Sequence, residues 1–221
     1  MLTFDPDKHT YHWNGNPAPS VTQVIGEWIN VAFGGVIFKF NRFTGVAVDI
    51  ETMKAASDYG TAVHDACAIL VRGGNLDWDA LDPSLTHSVK QFAEYWRRHH
   101  YHDKSNYREG RIVAKSYNGE PIFSKQLNVA GTPDIIKIVS PREVHIIEIK
   151  TSKEHDTVGP QTAAYAELYK DFYNFHGKVR RFVLCLPKTG KYEYDELKDP
   201  NDLAFFKARL FEYRYIRRAK W

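Results

Sequence analysis

The stretch GTPDIIKIVSPREVHIIEIKTSK, Gly131 to Lys153, constrains this chain more than any other part of it. Two apolar runs, near 134–139 and 144–150, flank Pro141-Arg142 and read as a pair of antiparallel strands. Side chains on a strand alternate faces with period two. Glu148 and Lys150 therefore share a face with Val144 and Ile146, and Asp134 shares one with Ile136 and Ile138. Charged groups set among isoleucines cost free energy unless something compensates them. A two-residue turn at Pro141-Arg142 would pair Ser140 with Glu143 and put Asp134 opposite Ile149, on the wrong face. A one-residue slip flips every side chain. Aligned apolar faces thus require an odd-length loop or a bulge around residues 139–143, and they bring Asp134 close to Glu148 and Lys150.

The rest of the chain divides at its turn signals. TFDPDKHTYHW reads as two short strands around a turn at Asp5–Asp7, and NGNPAP breaks that pattern. Ser20 with Gln23 is a capping-box signature, so a helix starts at Val21. Residues 31–49 show no clear period. Helical patterns run from about Ile50 to Arg72, closed by Gly73-Gly74, and from about Ser84 to His100. RIVAKSY, Asn118-Gly119 and PIFSKQ read as a hairpin, since Asn-Gly between alternating strands is a strong turn signal. Gly159 to Phe175 reads as a helix closed by His176-Gly177, VRRFVLCL as a strand, KYEYDEL as an edge strand, and Asp202 to Ala219 as a final helix. This order predicts a single α/β domain, a mixed β-sheet flanked by helices. Residues 1–50 read as an N-terminal hairpin and helix appendage, and 51–221 as the core with a basic C-terminal helix.

Composition excludes several classes. Hydrophobic residues make up 43% of 221, enough for a substantial core. No run approaches the roughly 18 apolar residues of a membrane helix, and MLTFDPDKHT does not resemble a signal peptide. Two cysteines, Cys67 and Cys185, imply no disulfide framework and point to a reducing cytoplasm. They cannot hold a four-cysteine iron–sulfur cluster. No Gly-x-x-x-x-Gly-Lys-Ser/Thr loop is present, so no ATP is expected. From Lys178 to Trp221 there are 12 Lys+Arg against 6 Asp+Glu, within a chain of net charge +3. FEYRYIRRAKW interleaves aromatics with Arg214, Arg217, Arg218 and Lys220. That pattern suits phosphate contacts with base stacking, and equally an amphipathic helix with its aromatics in the core. His99, His100 and His102 crowd together without a cysteine pair, and read as an exposed helix end rather than a zinc site.

Two carboxylates and a lysine at strand ends form either a buried salt bridge or a site for a hard cation. Mg²⁺ takes one or two carboxylates with waters and substrate phosphate. Three further features favour the cation. Gln161 and Tyr165 share a helix face, in a helix that starts about ten residues after Lys150. His64 lies within an apolar helical stretch, and LNVAGTPD delivers Asp134 from a turn of small residues.

Gly60-x-x-x-His64, Gly131-Thr-Pro-Asp134, Glu148-Ile-Lys150 and Gln161-x-x-x-Tyr165, in that order, resemble the RecB-like branch of the PD-(D/E)xK nuclease superfamily. The closest likeness is to phage-type, lambda-exonuclease-like DNA exonucleases. The resemblance implies a restriction-endonuclease-like core and Mg²⁺ or Mn²⁺, one ion or two. It implies that Asp134, Glu148 and the Ile149 carbonyl hold the metal with His64 beside them, that Lys150 assists the nucleophilic water, and that Gln161 and Tyr165 line the site. A further glutamate ahead of the aspartate would be Glu109 or Glu120, with Glu109 preferred because a hairpin tip faces solvent. The implied activity is exonucleolytic digestion of linear DNA beside a single-strand-annealing recombinase, by a homo-oligomer. A structure-selective or single-strand endonuclease and an inactive DNA-binding module are the alternatives.

Overall fold

The computed structural model describes residues 1–5, 8, 10–26, 28–33, 36–41, 47–99, 107–108, 111–112, 115–152 and 157–218. For 28–33, 36, 107–108, 111–112, 115–118 and 218 it describes the backbone alone. Strands β1 (Leu2–Asp5), β2 (Thr10–Trp13) and β3 (Asn16–Ala18) form an antiparallel sheet. NGNPAP does more than break the pattern. Asn14 and Gly15 have φ of 50° and 81° and Trp13 pairs with Asn16, which makes them the two-residue turn of a second hairpin. Ser20 caps α1 (Val21–Ile25) with the expected reciprocal bonds: Gln23 N–H donates to Ser20 Oγ and Ser20 N–H to Gln23 Oε1, both at 3.0 Å. The stretch without clear period forms β4 (Trp28–Phe33), β5 (Val36–Asn41) and β6 (Ala47–Asp49), again antiparallel.

Two helices follow, α2 (Ile50–Val71), capped by Asp49, and α3 (Pro83–His99). Strands β7 (Tyr107–Arg108) and β8 (Arg111–Ile112) pair with each other. Next come β9 (Lys115–Asn118), β10 (Ile122–Ser124), β11 (Val129–Gly131), β12 (Ile135–Ser140) and β13 (Glu143–Lys150). The chain then runs through α4 (Val158–Phe172), β14 (Lys178–Cys185), β15 (Glu193–Glu196) and α5 (Asp202–Arg218). The principal sheet has the order β15-β14-β13-β12-β9, with β13 and β14 parallel and the other neighbours antiparallel. The fold is α/β, a mixed sheet flanked by helices. No helix among the described residues is long and apolar enough to cross a membrane.

The Asn118-Gly119 hairpin does not form. Strand β9 pairs with β12, Asn118 opposite Ile135, while β10 pairs with β11. Gly119 N–H donates to the Asp134 carbonyl at 3.1 Å, and a Cβ on Gly119 would lie 1.6 Å from the Pro133 carbonyl oxygen. The glycine is needed for close approach of two backbones, not for a turn. Helix α4 ends at Phe172 rather than Phe175, because Asn174, at φ 49°, takes the left-handed position ahead of His176-Gly177.

Both faces of β12 and β13 are buried, which is why the two strands read as nearly continuous apolar runs. On one face Ile136, Val144 and Ile146 pack with Val21, Val24 and Ile25 of α1, Leu168 of α4, and Phe206 and Leu210 of α5. On the other, Ile135, Ile147 and Ile149 pack with Val63 of α2 and with Val89 and Phe92 of α3. Each fully buried isoleucine contributes about 1.5–3 kcal/mol. Helix α1 is thus part of the core, and Ala130 N–H of β11 ties the segment leading into it through the Pro19 carbonyl at 2.9 Å.

Candidate active site

The β12–β13 register carries the bulge that facial parity requires. Ile138 pairs with Val144 and Ser140 with Glu143, so Val139 is the extra residue. Beyond the bulge, Ile135 faces Ile147, and the same register continued by one residue sets Asp134 opposite Glu148. Asp134 is held where β12 begins by the Ile149 N–H, which donates to Oδ2 at 2.7 Å. The carbonyl of a strand residue lies on the same edge as its N–H, so the Ile149 oxygen is directed toward Asp134 as well. Helix α2 brings His64 Nδ1 to 3.2 Å from Asp134 Oδ1.

Helix α4 covers the strand ends. Gln161 Nε2 donates to Glu148 Oε1 at 2.7 Å and reaches the Tyr165 hydroxyl at 3.2 Å. Lys150 Nζ donates to Glu148 Oε1 at 3.1 Å and to Gln161 Oε1 at 3.0 Å. Glu148 Oε2 is buried with no hydrogen-bond partner among the described residues. A buried carboxylate oxygen left in this way is expensive. An electrophile placed there would offset that cost.

The electrostatics separate the two carboxyls. Burial raises Glu148, the Asp134 charge raises it further, and the group titrates at about 7 despite Lys150 and His64. Burial also works on Asp134, but His64, Lys150 and the Ile149 N–H together hold its pKa below the ordinary value. For His64, burial lowers the pKa, but the Asp134 charge and hydrogen bond, helped by Glu148, lift it to about 9. Two carboxyls facing one another with opposed shifts are a recurring arrangement at catalytic centres.

The donor set fits a hard divalent cation. Two carboxylates and a backbone carbonyl are oxygen ligands, and Mg²⁺ is held by few of these with waters completing the shell. Among the described residues no three His, Cys, Asp or Glu side chains form a ready-made cage, so waters and phosphate would fill the remaining positions. A cleft of about 160 Å³ opens beside the pair, lined by His64, Asp65, Arg72, Thr132, Pro133 and Asp134.

Six of the predicted site residues, His64, Asp134, Glu148, Lys150, Gln161 and Tyr165, thus converge, and Ile149 joins them through its backbone. Glu109 lies outside the described residues, and Glu120 is exposed in the loop after β9. The α5 cations divide. Arg214 donates to the Leu127 carbonyl and fastens the helix to the β10–β11 turn. Arg217 is exposed, its guanidinium 4.5 Å from the Tyr213 ring centre. The Arg218 side chain and Lys220 lie outside the described residues, as do His100 and His102. The α5 aromatics also divide by face: Phe206 is buried, whereas Phe211 is 73% and Tyr215 68% exposed. His99 stacks on Tyr95 at the exposed end of α3. Cys67 and Cys185 are buried and unbonded to each other.

Sequence reasoning missed the contact of the Tyr11 hydroxyl with Thr132 Oγ1 at 2.9 Å, which braces the turn leading into Asp134 from the N-terminal sheet. Residues 121 positions apart carry no local signal of such a contact.

No family model and no curated protein matches this chain. Among 17 solved chains that match it, one is described as the crystal structure of SSO0001. It shares 13% identity over 71% of this chain and 84% of that one, with a TM-score of 0.31. A likeness that loose carries no argument about function.

Proposed function

We propose that this chain is a metal-dependent deoxyribonuclease of the RecB-like PD-(D/E)xK kind, foremost an exonuclease that digests linear DNA in phage-type recombination or repair. One observation carries the reading. Buried Glu148 and partly buried Asp134 are bound to Lys150 and Gln161 and to His64 respectively, yet Glu148 Oε2 remains without a partner among the described residues. Asp134, Glu148 and the Ile149 carbonyl would hold Mg²⁺ or Mn²⁺, one ion or two. Bound there, the ion supplies a Lewis acid for the phosphoryl oxygen and lowers the pKa of water.

The chain's own residues do the rest. His64 fixes the orientation of Asp134. Lys150 orients the attacking water and offsets charge on the pentavalent phosphate. Gln161 holds Lys150 and Glu148 together, and Tyr165 holds Gln161. Water adds in line and gives up one proton to solvent as its oxygen bonds to phosphorus, the P–O bond opposite breaks, and the leaving oxygen takes a proton from solvent. The substrate would be DNA with a free end. The proposed setting is a cytoplasm, with a single-strand-annealing recombinase as partner and a homo-oligomer as the working form.

The test incubates linear and closed circular DNA with Mg²⁺ or Mn²⁺, with and without EDTA. Loss of linear DNA alone is expected, abolished by EDTA. Lys150→Ala should slow it by about 100-fold or more, the range for a positioned catalytic group. Cutting of the circle reassigns the chain to a structure-selective or single-strand endonuclease. No cutting with either ion leaves a DNA-binding module that has lost catalysis.

A further inference from the structure

Helix α5 has two unlike faces. Phe206 and Leu210 belong to the core and Tyr213 packs against it. Ala204, Ala208, Phe211 and Tyr215 are spaced by four, three and four residues, which sets them in one row on the opposite side. All four are exposed. The Phe211 and Tyr215 rings lie nearly parallel, at 20° with centroids 6.5 Å apart. Phe205 and Ile216 are exposed along one flank of the row. An apolar row left in water over the length of a helix marks a binding surface.

The order of the residues along the row selects its occupant. Two alanines precede two aromatics. Turned antiparallel about the midpoint between Arg209 and Leu210, the row sets Ala208 opposite Phe211 of a second copy and Ala204 opposite Tyr215 of a second copy. Every layer then joins one large side chain to one small one, so the knobs of each helix find holes on the other. The same turn brings Phe205 beside Ile216 of a second copy. A two-fold axis makes these contacts reciprocal. A parallel pairing would set ring on ring and leave alanine facing alanine.

Nucleic acid suits the row less well. Single strands stack on aromatics within a cationic groove, and none of the four residues is a cation. Arg209 is tied to Glu212, Arg214 to the Leu127 carbonyl, and Arg217 lies over the Tyr213 ring. Four rings at about 150 Å² each, with the flanking residues, come to on the order of 1,000 Å² over both copies. That is the low end for a specific interface and suits a dimer in exchange with its monomer.

We infer that α5 is the interface of a homodimer, in which two antiparallel α5 helices pack across a two-fold axis through Ala204, Ala208, Phe211 and Tyr215. This interface supplies a surface for the homo-oligomer proposed above and does not rest on the nuclease reading.

Sedimentation velocity of the full chain over about 1–500 μM should show a monomer–dimer equilibrium. Phe211→Glu should weaken the dimer about 100-fold or more, because each dimer loses two central rings and must desolvate two charges. Ala208→Trp is the sharper test. It adds apolar surface yet fills the hole meant for Phe211, and should weaken the dimer about tenfold or more. Both positions are exposed, so both variants should melt as wild type does. Wild type that stays monomeric over the whole range overturns the interface. So does a trimer, a dimer untouched by Phe211→Glu, or a dimer tightened by Ala208→Trp. Monomeric wild type that binds a labelled single-stranded oligonucleotide, with the binding lost in Phe211→Glu, gives the row to nucleic acid instead. Monomeric wild type that digests linear DNA removes the interface and keeps the nuclease. A dimer that shows both variant effects and never cuts keeps the interface and removes the nuclease.

Discussion

Glu148 is the residue under the greatest conflict, buried beside a second carboxylate and titrating at about 7 instead of 4.5. A carboxyl raised in this way stabilises the fold fully below about pH 4.5, and the contribution is lost as pH rises through about 7. His64, raised from 6.5 to about 9, stabilises fully below 6.5 and loses that contribution as pH rises through about 9. Without metal the two slopes have one sign. In EDTA the melting temperature should fall between about pH 5 and about pH 9. Glu148→Gln should flatten the acidic limb of that profile and His64→Gln the alkaline limb. A melting temperature that climbs across the window would sink this account of the pair. The pairing of Asp134 with Glu148 was legible in the sequence from facial parity alone. The shifts were not, because they depend on burial and on His64 arriving from a helix 70 positions away, 134 minus 64.

Among the elements, the β12–β13 hairpin has the most exacting register. Deleting Val139 removes the bulge and sets Ile138 next to Ser140, so the Ser140–Glu143, Ile138–Val144 and Asp134–Glu148 pairings follow in one regular ladder. The expected outcome is a retained cooperative melting transition, read by circular dichroism. A deletion variant that loses cooperative melting would show that Val139 does more than adjust the register. Gly119→Ala tests the strand crossing that replaced the expected hairpin. A methyl group 1.6 Å from the Pro133 oxygen must displace backbone, so a loss of about 1–3 kcal/mol or more is expected in denaturant melts. A hairpin turn would tolerate alanine no better for a different reason, positive φ, but Gly119 has none. The Asn-Gly signal misled because a dipeptide reports local preference, and here a distant carbonyl set the requirement. The capping box at Ser20 was read correctly because its partners lie within one turn.

At the scale of the whole molecule, the site is a junction of separate parts. Helices α2 and α4 bring His64 and Gln161 to opposite sides of the β13 end, and the N-terminal sheet braces the turn before Asp134 through Tyr11. A divalent ion bound at that junction should stabilise the entire fold by mass action, about 2.7 kcal/mol at a hundredfold excess over Kd. Mg²⁺ or Mn²⁺ should therefore raise the melting temperature of wild type, and EDTA should reverse the shift. Asp134→Asn and Glu148→Gln should abolish it. A shift of equal size in both variants would place the ion elsewhere.

The sequence by itself determined the α/β class, the bulge and the meeting of Asp134 with Glu148, because strand alternation and helix capping are local rules that act over a few residues. It also brought Gln161 and Tyr165 onto one helix face. Only the tertiary structure decided that β9 joins β12, that α1 is core, that Arg214 fastens a helix to a turn, and that Phe211 and Tyr215 of α5 stay exposed. Those outcomes depend on which distant backbones and side chains come into contact. Period and propensity along the chain carry no record of that.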